Sequence, residues 1–343
     1  MRQAWHPHSP LRIFGFSVLI TLLIASVAIF HYGAVIIPVL FALLVIEITF
    51  SFENAIINAK VLTAMSRFWQ TMFLTIGIFI AIFGMRVVFP IALVAVAANT
   101  PWQSVLDMAL NDPVAYSHQL EIAYPSIAAF GGSFLLMLAL SFLFDTSHKV
   151  MWIRPIESFL RRISKPYLPT VVTLMVIGFF AILPRNEHPQ TTIVAGFIGL
   201  ATYLVVHGLA EFFTRIQQKQ NKQAGNVIRH GFAAFLTFLY LEVLDASFSL
   251  DSVIGAFAIT NQVLLIAAGL GIGAVWVRSM TVYIVRKGSL ATYRFLEHGA
   301  HYTVLLLAIT MFIHVPETFA GLAGIAIIAS SFIASKRLKS RQH

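Results

Sequence analysis

Two short acidic passages stand inside apolar stretches and match each other. The first reads Glu47-Ile48-Thr49-Phe50-Ser51-Phe52-Glu53-Asn54 and the second Asp245-Ala246-Ser247-Phe248-Ser249-Leu250-Asp251-Ser252. In each, two carboxylates lie six residues apart, hydroxyl residues follow the first acid by two and four positions, and Asn or Ser follows the second acid directly. The two passages keep a constant offset of 198 residues. Carboxylates are costly in hydrocarbon and mark a transport path, a proton relay or a partnered functional site. A duplicated acidic site suits a transporter built from two repeats. Glu47, Glu53, Asp245 and Asp251, supported by oxygens of Asn54, Ser249 and Ser252, form an oxygen-rich set. That chemistry fits manganese, magnesium or calcium better than copper(I) or a thiolate zinc site.

On a continuous α-helix, Glu47, Ser51, Asn54 and Asn58 fall near one stripe, and Asp245, Ser249 and Ser252 near the corresponding one, with Glu242 a turn earlier. The second acid of each pair points about 120° away from the first. Local unwinding would bring both acids toward one centre. Arg86 and Arg278, one on each following apolar stretch, are candidate charge-tuning or gating residues together with Glu242. The same arginines support two other readings: Arg–acid networks that only join helices, or an anion site.

The elements that must carry these residues are membrane spans. The chain has 343 residues, 58% hydrophobic and 11% charged, with 30 Phe and a mean hydropathy of +0.83. Several stretches approach or exceed the roughly 20 apolar residues that cross a bilayer. The expected spans are 13–30, 35–57, 69–97, 126–144, 169–183, 191–213, 231–257, 263–285, 301–315 and 318–334, the last two open to merging around Pro316. Lys and Arg concentrate in alternate connections, and ten spans also place Lys336, Arg337, Lys339 and Arg341 on the basic side. The expectation is therefore an all-α polytopic protein with ten transmembrane helices, nine being the alternative, and both termini cytoplasmic. Five crossings separate the acidic copies, which implies an inverted five-plus-five repeat within one membrane domain, residues 1–343, with halves 1–183 and 191–334. Arg2 and Arg12 before the first apolar run read as a retained signal-anchor helix.

The net charge of +9 follows those connections and not a nucleic-acid surface, and no aromatic-basic recognition module is present. Cysteine is absent, which excludes disulfides, thiolate metal sites and cysteine nucleophiles. Weaker candidates read more simply as structure. Asp145 and His148 mark a helix boundary, as does Glu211, and His207 is a packed histidine. His298, His301, His314 and Glu317 are too spread for one four-ligand site. Tyr116 through Tyr124 reads as a polar external loop. Gly269, Gly271 and Gly273 lack the Lys-Ser/Thr of a phosphate loop and suit close helix packing.

The passages around Glu47–Asn54 and Asp245–Ser252 resemble the TerC-like integral membrane family, in particular a branch labelled as a domain of unknown function. The pattern is an acid, five residues, then Asp-Asn or Asp-Ser in membrane helices. Glu47, Glu53 and Asn54 match the first copy, with Glu53 where the family has Asp. Asp245, Asp251 and Ser252 match the second, and Arg86 and Arg278 resemble arginines of the following helices. The resemblance spans roughly residues 35–334. It implies manganese export or metal homeostasis, with export open to coupling with inward proton movement, in a bacterial cytoplasmic membrane. Related proteins imply the alternative of a membrane-protein assembly factor or scaffold. The expected partners are the lipid bilayer, the transported cation and membrane-protein clients, with no permanent cofactor and no nucleic acid. No cofactor fingerprint or complete catalytic arrangement favours an enzyme.

Overall fold

In hydrocarbon every backbone amide and carbonyl must find its partner within the segment, so runs this apolar become helices. The computed structural model describes residues 10–147, 150–184, 186–220, 228–257, 259–260, 262–313, 315 and 317–340, with side chains throughout except at 10–12, 74, 93, 97, 213–220, 250–251, 254–255, 257, 289, 291, 317–318 and 339–340. Among the described residues there is no β-strand. Among the described residues, eight helices are long and apolar enough to cross a membrane, and ten spans result when each of two bent pairs counts as one. The chain is a polytopic, all-helical membrane protein.

The structure divides into two compact units, residues 1–124 with 241–288 and residues 125–240 with 289–343. Each unit draws on both of the halves expected from the repeat, and both acidic passages fall in the first. In that unit lie α1 (Pro10–Tyr32), α2 (Ile37–Phe50), α3 (Phe52–Leu62), α4 (Arg67–Phe79), a π-helical segment Ile80–Val88, α5 (Phe89–Ala97) and α6 (Trp102–Asn111). The first unit also holds the start of α7 (Pro113–Leu143). The second unit contains α8 (Arg154–Ile163), α9 (Leu168–Ile182) and α10 (Pro189–Gln220). Two longer helices, α11 (Gly231–Phe257) and α12 (Val263–Lys287), bring the end of the chain's middle section back into the first unit. The short α13 (Ser289–Thr292), α14 (Leu296–Ile313) and α15 (Glu317–Ser340) complete the second.

In the first unit, α12 packs against α1, α2, α3, α4 and the π-helical segment. Small residues let it approach. A Cβ at Gly269 would lie 2.5 Å from Leu43 Cβ, and one at Gly273 would collide with Glu47. Polar ties fix its other side: Ser17 and Ser279 hydroxyls are 2.6 Å apart, and Trp276 Nε1 donates to Thr21 Oγ1 at 3.0 Å. The glycine run thus packs helices closely, as expected.

In the second unit α14 and α15 lie antiparallel. Thr303 meets Gly324, Gly299 meets Ser331, and Phe295 N–H donates to Ser335 Oγ. The last two apolar runs are therefore separate helices, and not one segment interrupted at Pro316. The expected external loop Tyr116–Tyr124 is instead helical. Pro113 stands at the first position of α7, where its missing N–H costs nothing, and no glycine or second proline follows before Pro125. Tyr116 is buried there.

Candidate intramembrane acid–arginine site

The two acidic passages adopt different backbones. The first breaks: Ser51 (φ −113°, ψ 9°) separates α2 from α3, which bend by 51° between Glu47 and Glu53. The second stays helical throughout α11. Local unwinding thus occurs in one copy and not in the other. At the break, Ser51 N–H still bonds Glu47 O at 2.9 Å while Ser51 Oγ–H donates to Glu47 Oε1 at 2.9 Å. Beyond the bend, Asn54 and Asn58 both reach Asp245 on α11.

Each first acid is paired with the arginine of its following helix. Glu47, fully buried, forms an ion pair with Arg86. Arg86 sits in the π-helical segment and also donates from Nη1 to Ala81 O at 2.7 Å. Single-turn π insertions add a residue to a helix and re-aim side chains, often at functional sites. Asp245 pairs with Arg278 Nη2 through Oδ2. Its Oδ1 accepts from Asn54 Nδ2 and, at 3.1 Å, from Asn58 Nδ2. Arg278 is held further by Glu242 at 3.4 Å, by the Phe73 carbonyl at 2.9 Å, and over the Phe73 ring at 3.7 Å. Gly77 leaves the space that Arg278 and Glu242 occupy. Two guanidinium ions thus stand against three carboxylates.

Asp245 Oδ1 can only accept, which turns both asparagine N–H2 groups toward it and both asparagine oxygens away. Asn54 Oδ1, Asn58 Oδ1 and Glu47 Oε2 are then buried acceptors with no donor among the described residues, beside the Arg86 Nε donor in the same state. Leaving such an acceptor unmatched costs about 1–3 kcal/mol. Glu47, Ser51, Asn54, Asn58, Asp245, both arginines and Thr281 line a shared cavity of about 10 Å3, close to the volume one water or one small ion requires.

Of the residues singled out from the sequence, Glu47, Asn54, Asp245, Arg86 and Arg278 meet at this cavity, and Glu242 braces Arg278. Glu53 is buried on α3 but does not line the cavity. Ser249 is buried with its hydroxyl unmatched, also outside the lining, and Ser252 Oγ–H returns to the Ser249 carbonyl at 3.0 Å. The Asp251 side chain lies outside the described residues, as do His148, His314 and the Glu317 side chain. Among the described residues no three Asp, Glu or His side chains gather as metal ligands. A cation here would be held by Glu47 and Asp245 with amide and hydroxyl oxygens. Asn58, Ser51 and Thr281 were the contributors that sequence reasoning left out of the set. Asn58 had a signal, since it falls on the Glu47–Ser51–Asn54 stripe. The π-helical segment had none.

The remaining histidines are elsewhere. His207 is 3.7 Å from Glu211, one turn on. His298, buried on α14, is 3.4 Å from Glu157 and 3.1 Å from Val150 O, while His301 stacks on Phe142 at 3.7 Å. Residues 52–342 match a family described as a protein of unknown function, DUF475. Glu47 stands just ahead of the matched region. No curated protein and no solved structure matches the chain.

Proposed function

We propose that this chain, which belongs to the DUF475 family, is a membrane transporter for a divalent cation, manganese first, acting as an exporter related to the TerC-like proteins. The observation that carries the reading is the set of three unmatched buried oxygens between Glu47 and Asp245. Carboxylate and carbonyl oxygens suit hard dications, and a transported ion keeps some of its water, so a small protein ligand set suffices. Arg86 and Arg278 act as built-in counter-ions. They neutralise the acids when the cation has left and swing aside when it arrives. Without them, the buried carboxylates would be too costly to keep charged. Protons compete for the same acids, which supplies a route to exchange with inward proton movement.

The test is flux in vesicles holding the purified protein, with manganese, calcium, magnesium and zinc compared under imposed pH gradients. Manganese flux that responds to the gradient and falls at least about tenfold in the Glu47→Gln/Arg86→Met variant is expected. Well-assembled protein that moves none of the four ions rejects the proposal. The Arg–acid pairs also tie α2, α11, α12 and the π-helical segment together, which favours the second reading, an assembly factor. That reading gains if the variant impairs client insertion while no ion moves.

A further inference from the structure

We propose that α8 is an interfacial helix that binds anionic lipid head groups. Three faces of this ten-residue helix can be told apart. At about 100° per residue, Ile156, Phe159 and Ile163 share one face, Arg154, Ser158 and Arg162 another, and Glu157 a third. The third face is turned into the protein: Glu157 is buried, and its Oε1 accepts from the N–H groups of Trp152 (3.2 Å) and Ile153 (3.1 Å) and from Tyr302 O–H (3.4 Å). With His298 on Oε2, this seat fixes the rotation of α8 about its axis. The other two faces are thereby presented outward.

The apolar face is uncovered. Ile156 is 48%, Phe159 60% and Ile163 40% exposed. The next helix in the chain, α9, also carries exposed apolar residues, Leu174, Met175, Phe179 and Ile182, which read as lipid-facing. α8 is bent by 105° from α9, so it runs close to the membrane plane where α9 enters the bilayer. A spanning role for α8 itself is excluded by its charge: Arg154, Arg161 and Arg162 lie on ten residues. Between residues 150 and 168 the cations are these three and Lys165, and Glu157 is the single acid. Because Glu157 is buried and matched, the outward face of this segment is purely cationic. A helix with an apolar stripe flanked by arginines sinks its stripe into the acyl boundary and meets phosphate-bearing head groups with its charges. Continuity with a lipid-facing span and unbalanced positive charge identify the occupant as an anionic bilayer surface, and not a protein partner.

The native chain has no cysteine, so Phe159→Cys gives one labelling site in the full-length protein, and Ile163→Cys on the same stripe gives an independent second. Each is labelled with a polarity-sensitive dye in nanodiscs of phosphatidylcholine with phosphatidylglycerol. Nitroxide carried on phosphatidylglycerol is expected to quench about fivefold more per mole than nitroxide on phosphatidylcholine, the enrichment that one cation near the surface produces. Adding Arg154→Gln, Arg162→Gln and Lys165→Gln, which leaves only the half-buried Arg161 tied to Val150 O, is expected to equalise the two lipids. Equal quenching by both lipids before those changes, or a preference that survives them, overturns the proposal. So does quenching by aqueous iodide with none from lipid, which would leave the stripe to water or a protein partner.

Discussion

Glu47 and Glu157 are equally hidden carboxylates with opposite accounts. Glu157 is fully matched: two backbone amides and a tyrosine hydroxyl on one oxygen, a histidine on the other. Burial works against its charge, but the His298 side chain and the Ile153 and Trp152 amides outweigh it and hold the carboxyl below its ordinary value. It lies at the start of α8, where the helix dipole also favours a negative charge. Glu47 has Arg86 and Ser51 on Oε1 and, among the described residues, nothing on Oε2, with two asparagine oxygens equally unmatched beside it. A carboxylate saturated by its surroundings holds a structure together. One left half-open at a cavity, at a cost the fold absorbs, points to a ligand.

The comparison breaks most readily at the arginines. Arg278→Leu strands Asp245 and Glu242 and is expected to destabilise the detergent-purified protein by about 3–5 kcal/mol. Adding Asp245→Asn and Glu242→Gln should return most of that loss in a thermal unfolding series. If the single change is silent, the pairs are not the neutralising device inferred here. Glu157→Gln is expected to cost about 1–3 kcal/mol, since one oxygen becomes a donor facing other donors. Because its native pKa is lowered, the stabilisation is complete above about pH 4.5 and is lost as pH falls through the lowered value. Hydrogen exchange of α8 should therefore rise with acid in the native protein and be flatter in Glu157→Gln.

Gly273→Ala probes the open carboxylate from the other side. Its methyl would collide with Glu47, so a loss of about 1–3 kcal/mol and weaker manganese binding are expected together. Binding that is unchanged while stability falls would separate Glu47 from the cation. The smallest effect belongs to Asn58→Ala, which removes one neutral contact to Asp245, about 1 kcal/mol, and a few-fold in manganese affinity.

Much of this was legible in the sequence. Hydropathy yields the helical class, because each helix must satisfy itself in lipid. Most of the expected spans fall on helices of the structure to within a few residues; the fourth does not, since its helix begins at Pro113 and not at 126. The acid–arginine pairing was legible as a possibility, since a buried charge needs a partner and one arginine stood on each following run. What lay beyond reach is local. Ser51 breaks one copy and its counterpart Ser249 does not break the other, although the patterns match. The π-helical turn that aims Arg86 has no composition of its own. Tyr116–Tyr124 looked like a loop from polarity, although Pro113 at the helix start and the lack of a glycine before Pro125 are local signals for the helix that forms. That Glu53 stands apart from Glu47 is what their six-residue spacing gives on a helix, about 120° apart, and the break at Ser51 does not bring Glu53 to the cavity.

The measurement that bears most directly on the cation seat is equilibrium manganese binding to purified protein, read from the free-ion signal in electron paramagnetic resonance. The native chain is compared with Glu47→Gln/Arg86→Met, an uncharged replacement expected to keep stability near native because both charges leave together. One saturable manganese site per chain, absent from the folded double variant, is the expected result. Equal binding in both, or no saturable binding in the native chain, would contradict the assignment of these unmatched oxygens to a cation.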